Sequence, residues 1–199
     1  MHEHLKKTLA RIARFYDQRK VGDVGPLGFR RSTDLKRLLA CLDRLLDEGI
    51  VKPRETLFLD LGCADGRVNI LLSYLVRISA GIELDAWTFE EYGPLRAEVE
   101  GALKAEGLLA LPENTFLFQG DSTDEAVHEA IRSETGVPFR EFDLFYTYLV
   151  MHEEFAGLIA EKGKKGAIFM VYGFQKILPR YKGFRLLDHI SPMEGILAL

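Results

Sequence analysis

Glycines and carboxylates alternate in one short stretch of the chain, FLDLGCADGRV, residues 58–68. An apolar run ends at Asp60, and the loop behind it holds Gly62 and Gly66 before a helical pattern begins. Nucleotide-binding proteins commonly place a glycine turn between a strand and a helix, where backbone N–H groups face the ligand. This turn also carries Asp65, so negative charge stands where a phosphate would be expected. The stretch therefore favours a ligand that carries positive charge.

More acidic and polar side chains follow the next two apolar runs. Glu83 lies near the end of SAGIELD, and Asp121 and Ser122 follow NTFLFQ. In a parallel sheet the carboxyl ends of the strands meet at one edge, where ligands of open α/β sheets bind. A dinucleotide's pyrophosphate would be repelled by such an acidic rim. The chain also lacks the G-x-x-x-x-G-K-[ST] pattern of a phosphate loop.

S-adenosylmethionine fits the rim better than a phosphorylated nucleotide. It offers a sulfonium, an ammonium, a ribose diol and an adenine amino group, and anionic or acceptor groups serve all of them. It has no phosphate, and its single carboxylate can be met by the backbone N–H groups of the turn.

The motifs resemble those of the class I S-adenosylmethionine-dependent methyltransferases, over residues 33–199. The glycine stretch matches the family's first motif, usually (D/E)-x-G-x-G-x-G, except that Ala64 replaces the middle glycine. We expect the same backbone path there, provided that φ at Ala64 is negative. The resemblance places Glu83, 21 residues after Gly62, on the ribose hydroxyls, and Asp121 on the adenine amino group. It implies a cofactor site made of Asp60, Gly62, Cys63, Ala64, Asp65, Gly66, Glu83, Leu84, Asp121, Ser122 and Tyr146.

In this family the acceptor-side residues usually follow the fourth strand. Enzymes that methylate amides or base amines often carry Asn/Asp-Pro-Pro-Tyr/Phe there, and this chain has YTYLVMHEE instead, with Tyr148 at the first position of that motif. The remaining candidates for catalysis are Tyr148, Thr147 and His152. The alternatives are core packing for Tyr146 and an ordinary helix start for His152. A general base is needed only if the acceptor must lose a proton.

The segments GIELDAW and LRAE are also similar to small lysine N-methyltransferases that modify an ATP-synthase membrane subunit, and to seven-strand histone lysine methyltransferases. This similarity favours a protein side-chain amine as the acceptor. The alternatives are a small-molecule or RNA acceptor, and a relative that binds the cofactor without catalysis. Asp60 and the G-x-A-x-G spacing argue against a nicotinamide-dependent dehydrogenase.

Alternating strands and helices must position these residues. Period-two patterns predict strands over 56–62, 79–85, 114–121, 141–150 and 166–173, with helices between them, and a final antiparallel pair over 183–190 and 195–199. This alternation indicates right-handed βαβ units and a parallel sheet covered on both faces, and the resemblance to class I methyltransferases implies a Rossmann-like α/β fold with strand order 3-2-1-4-5-7-6.

Two further helices precede the alternating part, over 3–19 and 33–48, the second capped by Ser32 or Thr33. We predict an N-terminal helix and loop, 1–32, followed by a methyltransferase domain, 33–199. The loop 21–32, with Phe29, Arg30 and Arg31, is either a cover for the cofactor or a plain linker. We also expect a kink near Gly93 in a helix over 86–106, and a helical turn near 175–181.

The bulk composition narrows the class of protein. The 199 residues carry a net charge of −4, so no basic field indicates nucleic-acid binding. Cys41 and Cys63 have neither metal-site spacing nor a disulfide framework. No segment approaches the roughly 20 apolar residues of a membrane span, and the charged N-terminus is unlike a signal peptide. A cytoplasmic setting is expected.

Overall fold

The computed structural model of the chain describes residues 2–22, 26, 30–173, 180–187 and, for the backbone, 196–198. The expected loop residue Phe29 and most of the turn predicted near 175–181 lie outside these ranges.

A mixed sheet forms the centre of the fold. Its strands are β1 Leu57–Leu61, β2 Ile78–Glu83, β3 Thr115–Gln119, β4 Leu144–Tyr148, β5 Ile168–Tyr172 and β6 Ile196–Ala198. Their order is β3-β2-β1-β4-β5-β6, with β1 to β5 parallel and β6 antiparallel to β5. The predicted order 3-2-1-4-5 is confirmed, and β6 occupies the place beside β5 that the last strand was expected to take.

The sixth strand of the predicted sheet is absent from its described part. Residues 183–187 form no strand, although Phe184 and Leu186 pack against the core. Residues 188–190 and 191–195 lie outside the described ranges. The alternating pattern over 183–187 therefore reflects burial of one face rather than strand pairing.

The helices flank the sheet on both sides. They are α1 Glu3–Asp17, α2 Leu35–Asp47, α3 Arg67–Ser73, α4 Ala86–Glu90, α5 Tyr92–Ala105, α6 Glu125–Thr135 and α7 His152–Lys162, with a 3₁₀ turn at Phe139–Glu141. The helix expected over 86–106 is divided at Glu91, two residues before the predicted kink at Gly93. Pro94 then lies in the first turn of α5, where its missing N–H leaves no helical bond unmade.

The cap of α2 differs from the prediction. Asp34, rather than Ser32 or Thr33, accepts a hydrogen bond from the Arg37 N–H at 3.0 Å. The last residue of α1, Asp17, also accepts from the first backbone N–H of α2, that of Leu35, at 2.8 Å. The C-terminus of α1 is thereby hydrogen-bonded to the N-terminus of α2. Ser32 and Thr33 do not cap α2 and make other contacts.

Alternation along the strands divides the core into two clusters. Leu57, Leu59 and Leu61 face α6 and α7, whereas Phe58 faces the side of the N-terminal helices. Ile12 and Tyr16 of α1 are fully buried in the cluster that contains Phe58. Asp60 shares the face of Phe58, so its carboxylate lies between the sheet and the helices rather than in open solvent.

Candidate functional site

The turn after β1 is held by the end of β2. The N–H groups of Gly62 and Cys63 both donate to the Ile82 carbonyl, at 2.9 and 2.8 Å. Gly62 and Gly66 have φ angles of 109° and 74°, which residues with a side chain rarely adopt. The turn therefore needs glycine at these two positions.

Ala64 also takes a left-handed conformation, with φ of 50°. The condition set for an unchanged backbone path, a negative φ at Ala64, is therefore not met. An L-residue with a side chain is disfavoured there by roughly 1–2 kcal/mol. The Ala64 N–H donates to Glu83 Oε2 at 2.9 Å, a charge-assisted bond that offsets part of this strain. The chain keeps the backbone path of a glycine turn at the cost of local strain.

Asp60 is a buried carboxylate with an unmet oxygen. It is 1% exposed, and its Oδ1 has no hydrogen-bond partner among the described residues. Burial, followed by the charges of Glu83 and Asp65, raises the pKa of Asp60 well above its ordinary value. Such a group is stabilised by a ligand that brings a positive charge and an N–H donor.

Glu83 is fixed at the end of β2 by backbone groups. Its Oε2 accepts from Ala64 and its Oε1 accepts from the Asp85 N–H, both at 2.9 Å. The Arg30 guanidinium lies 3.6 Å from Glu83 Oε1 and 3.2 Å from Asp85 Oδ2. The Glu83 carboxylate is thus held in one orientation at the rim of the sheet.

Asp121 follows β3 and closes its own turn. Its Oδ1 accepts from the backbone N–H and the hydroxyl of Thr123, at 2.8 and 2.7 Å. These bonds lower the pKa of Asp121, so its carboxylate is ionised at neutral pH. The neighbouring Ser122 carbonyl lies 2.8 Å from Nε2 of the buried His128.

These groups border one cavity of about 490 Å³ at the carboxyl edge of the sheet. It brings together eleven of the predicted residues: Asp60, Gly62, Cys63, Ala64, Glu83, Leu84, Asp121, Ser122, Tyr146, Thr147 and Tyr148. Three predicted residues, Asp65, Gly66 and His152, do not line it. The sequence therefore located the cavity but not every residue around it.

Asp65 and Gly66 have structural environments of their own. Asp65 is 1% exposed and forms an ion pair with the buried Arg67 at 2.8 Å. A Cβ at Gly66 would stand 2.6 Å from the Tyr92 ring, so only glycine fits between the turn and α5. Both residues shape the turn from behind the cavity.

His152 does not line the cavity. It is the first residue of α7, and its Nδ1 lies 2.6 Å from the Tyr181 hydroxyl. The described contact joins α7 to the segment 180–187 and matches the alternative of a histidine that begins a helix. The sequence pattern could not distinguish a position in the cavity from a contact with the segment 180–187, because the first side chain of a helix can face either of them.

The last three residues of β4 are Tyr146, Thr147 and Tyr148, and their side chains point alternately to the two faces of the sheet. The Tyr146 hydroxyl lies 2.6 Å from Thr33 Oγ1 in a buried contact, and burial raises the pKa of Tyr146. Thr147 donates to the Leu61 carbonyl at 3.0 Å, which ties β4 to β1. The Tyr148 ring lies 5.3 Å from the Tyr172 ring, so this aromatic pair forms one wall near the cavity.

The N-terminal segment supplies cavity residues that motif matching missed: Val21, Arg30, Arg31, Ser32 and Thr33. Arg67 donates to Ser32 Oγ at 2.9 Å and is itself held by Asp65. In the sequence, only Arg30 and Arg31 of the predicted loop 21–32 indicated that this segment could contact the site. The described ends of that loop border the cavity.

Apolar side chains form the other lip of the cavity. Leu149, Val150 and Met151 are 36%, 64% and 42% exposed, and Leu84 across the cavity is 65% exposed. Leu149 and Met151 have positive φ angles of 32° and 50°. Backbone strain of this kind is frequent at ligand-binding sites.

Two negative findings apply to the described part of the chain. No group of three His, Cys, Asp or Glu side chains there could hold a metal ion. None of the helices there has the length and apolar character needed to cross a bilayer.

No family model matches the chain, and no curated protein matches it. Three known structures resemble its fold. A mutant of MtNAS in complex with S-adenosylmethionine shares 12% identity over 92% of this chain and 65% of that one, with a TM-score of 0.51. An RNA methyltransferase from Salinibacter ruber in complex with S-adenosyl-L-homocysteine shares 20% identity over 80% and 87%, with a TM-score of 0.48. The tRNA methyltransferase TrmI from Aquifex aeolicus shares 12% identity over 75% and 57%, with a TM-score of 0.49.

The chain spans 65% and 57% of the lengths of the MtNAS and Aquifex proteins, less than two thirds of each. At these identities the likeness concerns the fold. The α/β architecture with strand order 3-2-1-4-5 is a Rossmann-like fold, as predicted from the sequence.

Proposed function

We propose that this chain is an S-adenosylmethionine-dependent methyltransferase that binds its cofactor across the ends of β1, β2 and β3. The observation that carries the proposal is a row of three carboxylates, Asp60, Glu83 and Asp121, at three adjacent strand ends along one cavity. Anionic groups in this arrangement match a cationic nucleoside and oppose a phosphorylated one.

The residues present fit the cofactor. The unmet Oδ1 of Asp60 suits the ammonium of the methionine end, and Glu83 can still accept from hydroxyl donors. Among the described residues, no atom beyond Gly62 and its two chain neighbours lies within 4 Å of the position that a Cβ at Gly62 would take, so a ligand can approach the backbone there. The cavity volume of about 490 Å³ falls within the range of roughly 300–1,000 Å³ for small-molecule sites.

Bound S-adenosylmethionine would supply a methyl group on a sulfonium, which transfers by in-line displacement. Such a reaction depends mainly on positioning and on exclusion of water. In this chain Asp60 and Asp121 would hold the two ends of the cofactor. Thr147 fixes the end of β4 against β1, and Tyr148 with Tyr172 forms the wall beside the expected methyl position. His152 contacts the Tyr181 hydroxyl and does not line the cavity, which argues against it as a general base.

The acceptor that we propose is a side-chain amine of a protein, as the similarity of GIELDAW and LRAE to lysine methyltransferases suggests. The Tyr148–Tyr172 pair could hold a cationic amine by cation–π contact. A small-molecule or RNA acceptor remains the alternative.

Calorimetric titration with S-adenosylmethionine, S-adenosylhomocysteine and NAD tests the cofactor. We expect both sulfur nucleosides to bind and NAD not to bind, because its pyrophosphate meets the acidic rim. Binding of NAD without binding of S-adenosylmethionine would favour the dehydrogenase alternative. Cofactor binding without any methyl transfer would favour a non-catalytic relative.

A further inference from the structure

Arg30 lies on the two carboxylates at the end of β2. Its Nη1 is 3.6 Å from Glu83 Oε1, and its Nη2 is 3.2 Å from Asp85 Oδ2. The Arg30 side chain is 31% exposed, whereas that of Glu83 is only 7% exposed. The guanidinium therefore reaches from the open side of the cavity onto a carboxylate in its wall.

The backbone that carries Arg30 is fixed on both sides. The Arg30 N–H donates to the Val21 carbonyl at 3.0 Å, and Thr33 Oγ1 lies 2.6 Å from the Tyr146 hydroxyl. We call residues 30–34 the strap. Because its backbone is anchored, the long Arg30 side chain can leave the carboxylates without movement of the strap.

The contact between Arg30 and Glu83 matters because the Glu83 carboxylate can accept only a limited number of hydrogen bonds. An ionised carboxylate has about four lone-pair positions. The backbone N–H groups of Ala64 and Asp85 each occupy one of them, on Oε2 and Oε1 respectively. Arg30 lies beside Oε1, which a ribose diol that binds both oxygens would also need. Arg30 and the diol therefore compete for the same oxygen.

We propose that Arg30 is a latch on the ribose position of the cofactor site. This inference rests on the proposed function, because it takes Glu83 as the ribose-binding group. In the empty protein the guanidinium holds Glu83 and Asp85, and ligand binding displaces it toward solvent. The latch lowers the affinity for any nucleoside that uses the diol, and it weakens as salt concentration rises.

The latch has a small effect on affinity, because an ion pair with a partly exposed member contributes little free energy. Its removal should strengthen nucleoside binding by about two- to fivefold. A suitable probe is 5′-methylthioadenosine, which carries the adenine and the ribose diol but no net charge. With a neutral probe, loss of a positive side chain cannot change affinity through simple attraction to the ligand.

The experiment compares the wild type with Arg30→Met, which keeps the aliphatic stem and removes the charge. Calorimetry should show tighter binding of 5′-methylthioadenosine by Arg30→Met. Raising salt from about 0.05 M to about 0.5 M should strengthen binding to the wild type, because the latch is screened, and leave Arg30→Met unchanged. Arg37→Ala is the control, since Arg37 lies on α2, pairs with Asp34 at the α2 end of the strap and does not line the cavity.

The outcomes separate the latch from the proposed function. If the wild type binds the nucleoside and Arg30→Met binds it equally or more weakly, the latch is overturned and the methyltransferase proposal stands. If neither protein binds 5′-methylthioadenosine, S-adenosylhomocysteine or S-adenosylmethionine, both proposals fail. Tighter binding by Arg37→Ala to the same extent would show a general charge effect and would also overturn the latch.

Discussion

At the scale of single residues, the buried carboxylate of Asp60 lowers the stability of the ligand-free protein and favours binding of a cationic ligand. It is buried, one of its oxygens has no hydrogen-bond partner in the described part of the chain, and the charges of Glu83 and Asp65 add to the burial that raises its pKa. The folded state therefore holds the Asp60 proton more tightly than the unfolded state does. By linkage, this group lowers stability progressively as pH rises above the ordinary aspartate pKa of about 4.

Replacing Asp60 by Asn should separate these two effects. At pH 7 the melting temperature of the empty protein should rise, by about 2–4 °C for each kcal/mol of relieved penalty. The affinity for S-adenosylmethionine should fall, because the ammonium loses its counter-charge. Calorimetric melting and ligand titration measure the two quantities. A lower melting temperature together with unchanged affinity would contradict this account of Asp60.

Ala64 gives a second prediction at this scale. Ala64→Gly should raise stability, because glycine adopts the observed φ of 50° without strain. The gain should reach about 1 kcal/mol, measured by denaturant unfolding. Ala97→Gly is the control, since Ala97 is an exposed residue within α5 and the same change there should cost about 0.5–1 kcal/mol. Equal effects at both positions would show that the backbone conformation at Ala64 is unstrained.

At the scale of elements, the sequence predicted what local pattern and strand pairing determine. Asp60, Glu83 and Asp121 border one cavity because they lie at or just after the ends of three strands whose register in a parallel sheet brings those ends to one edge. Arg30 and Thr33 were missed as partners of Glu83 and Tyr146, because contacts between residues so far apart leave no periodic signal. The strand predicted at 183–190 failed over 183–187 because alternation records burial and not hydrogen bonding.

The end of β4 carries the prediction for the acceptor side. Tyr148→Ala should preserve affinity for S-adenosylmethionine and abolish methyl transfer, because it removes a wall that positions the acceptor. Tyr148→Phe distinguishes ring from hydroxyl: it should retain transfer if the ring packed against Tyr172 is what matters. Titration and single-turnover transfer measure the two steps. Wild-type transfer by Tyr148→Ala would place the acceptor elsewhere, with the strap as the next region to test.

At the scale of the whole molecule, the N-terminal helices and the sheet share one core and one cavity. Ile12 and Tyr16 bury α1 in the cluster that also contains Phe58 of the sheet, while the strap brings Arg30 to the end of β2. The division at residue 32 made from the sequence stays a prediction about chain organisation. Physically, the segment before it contributes both to the core and to the cavity wall.

Transfer of a tritiated methyl group from S-adenosylmethionine into a cell lysate tests the central claim most directly. The lysate is sorted into protein, RNA and small molecules after incubation with the wild type or with Glu83→Ala. Glu83→Ala should bind the cofactor at least about tenfold more weakly, because two charge-assisted hydrogen bonds are lost. At subsaturating cofactor we predict label in one fraction with the wild type, foremost protein, and a matching loss with Glu83→Ala. Label that is absent from all three fractions, or equal for the two proteins, would contradict the account.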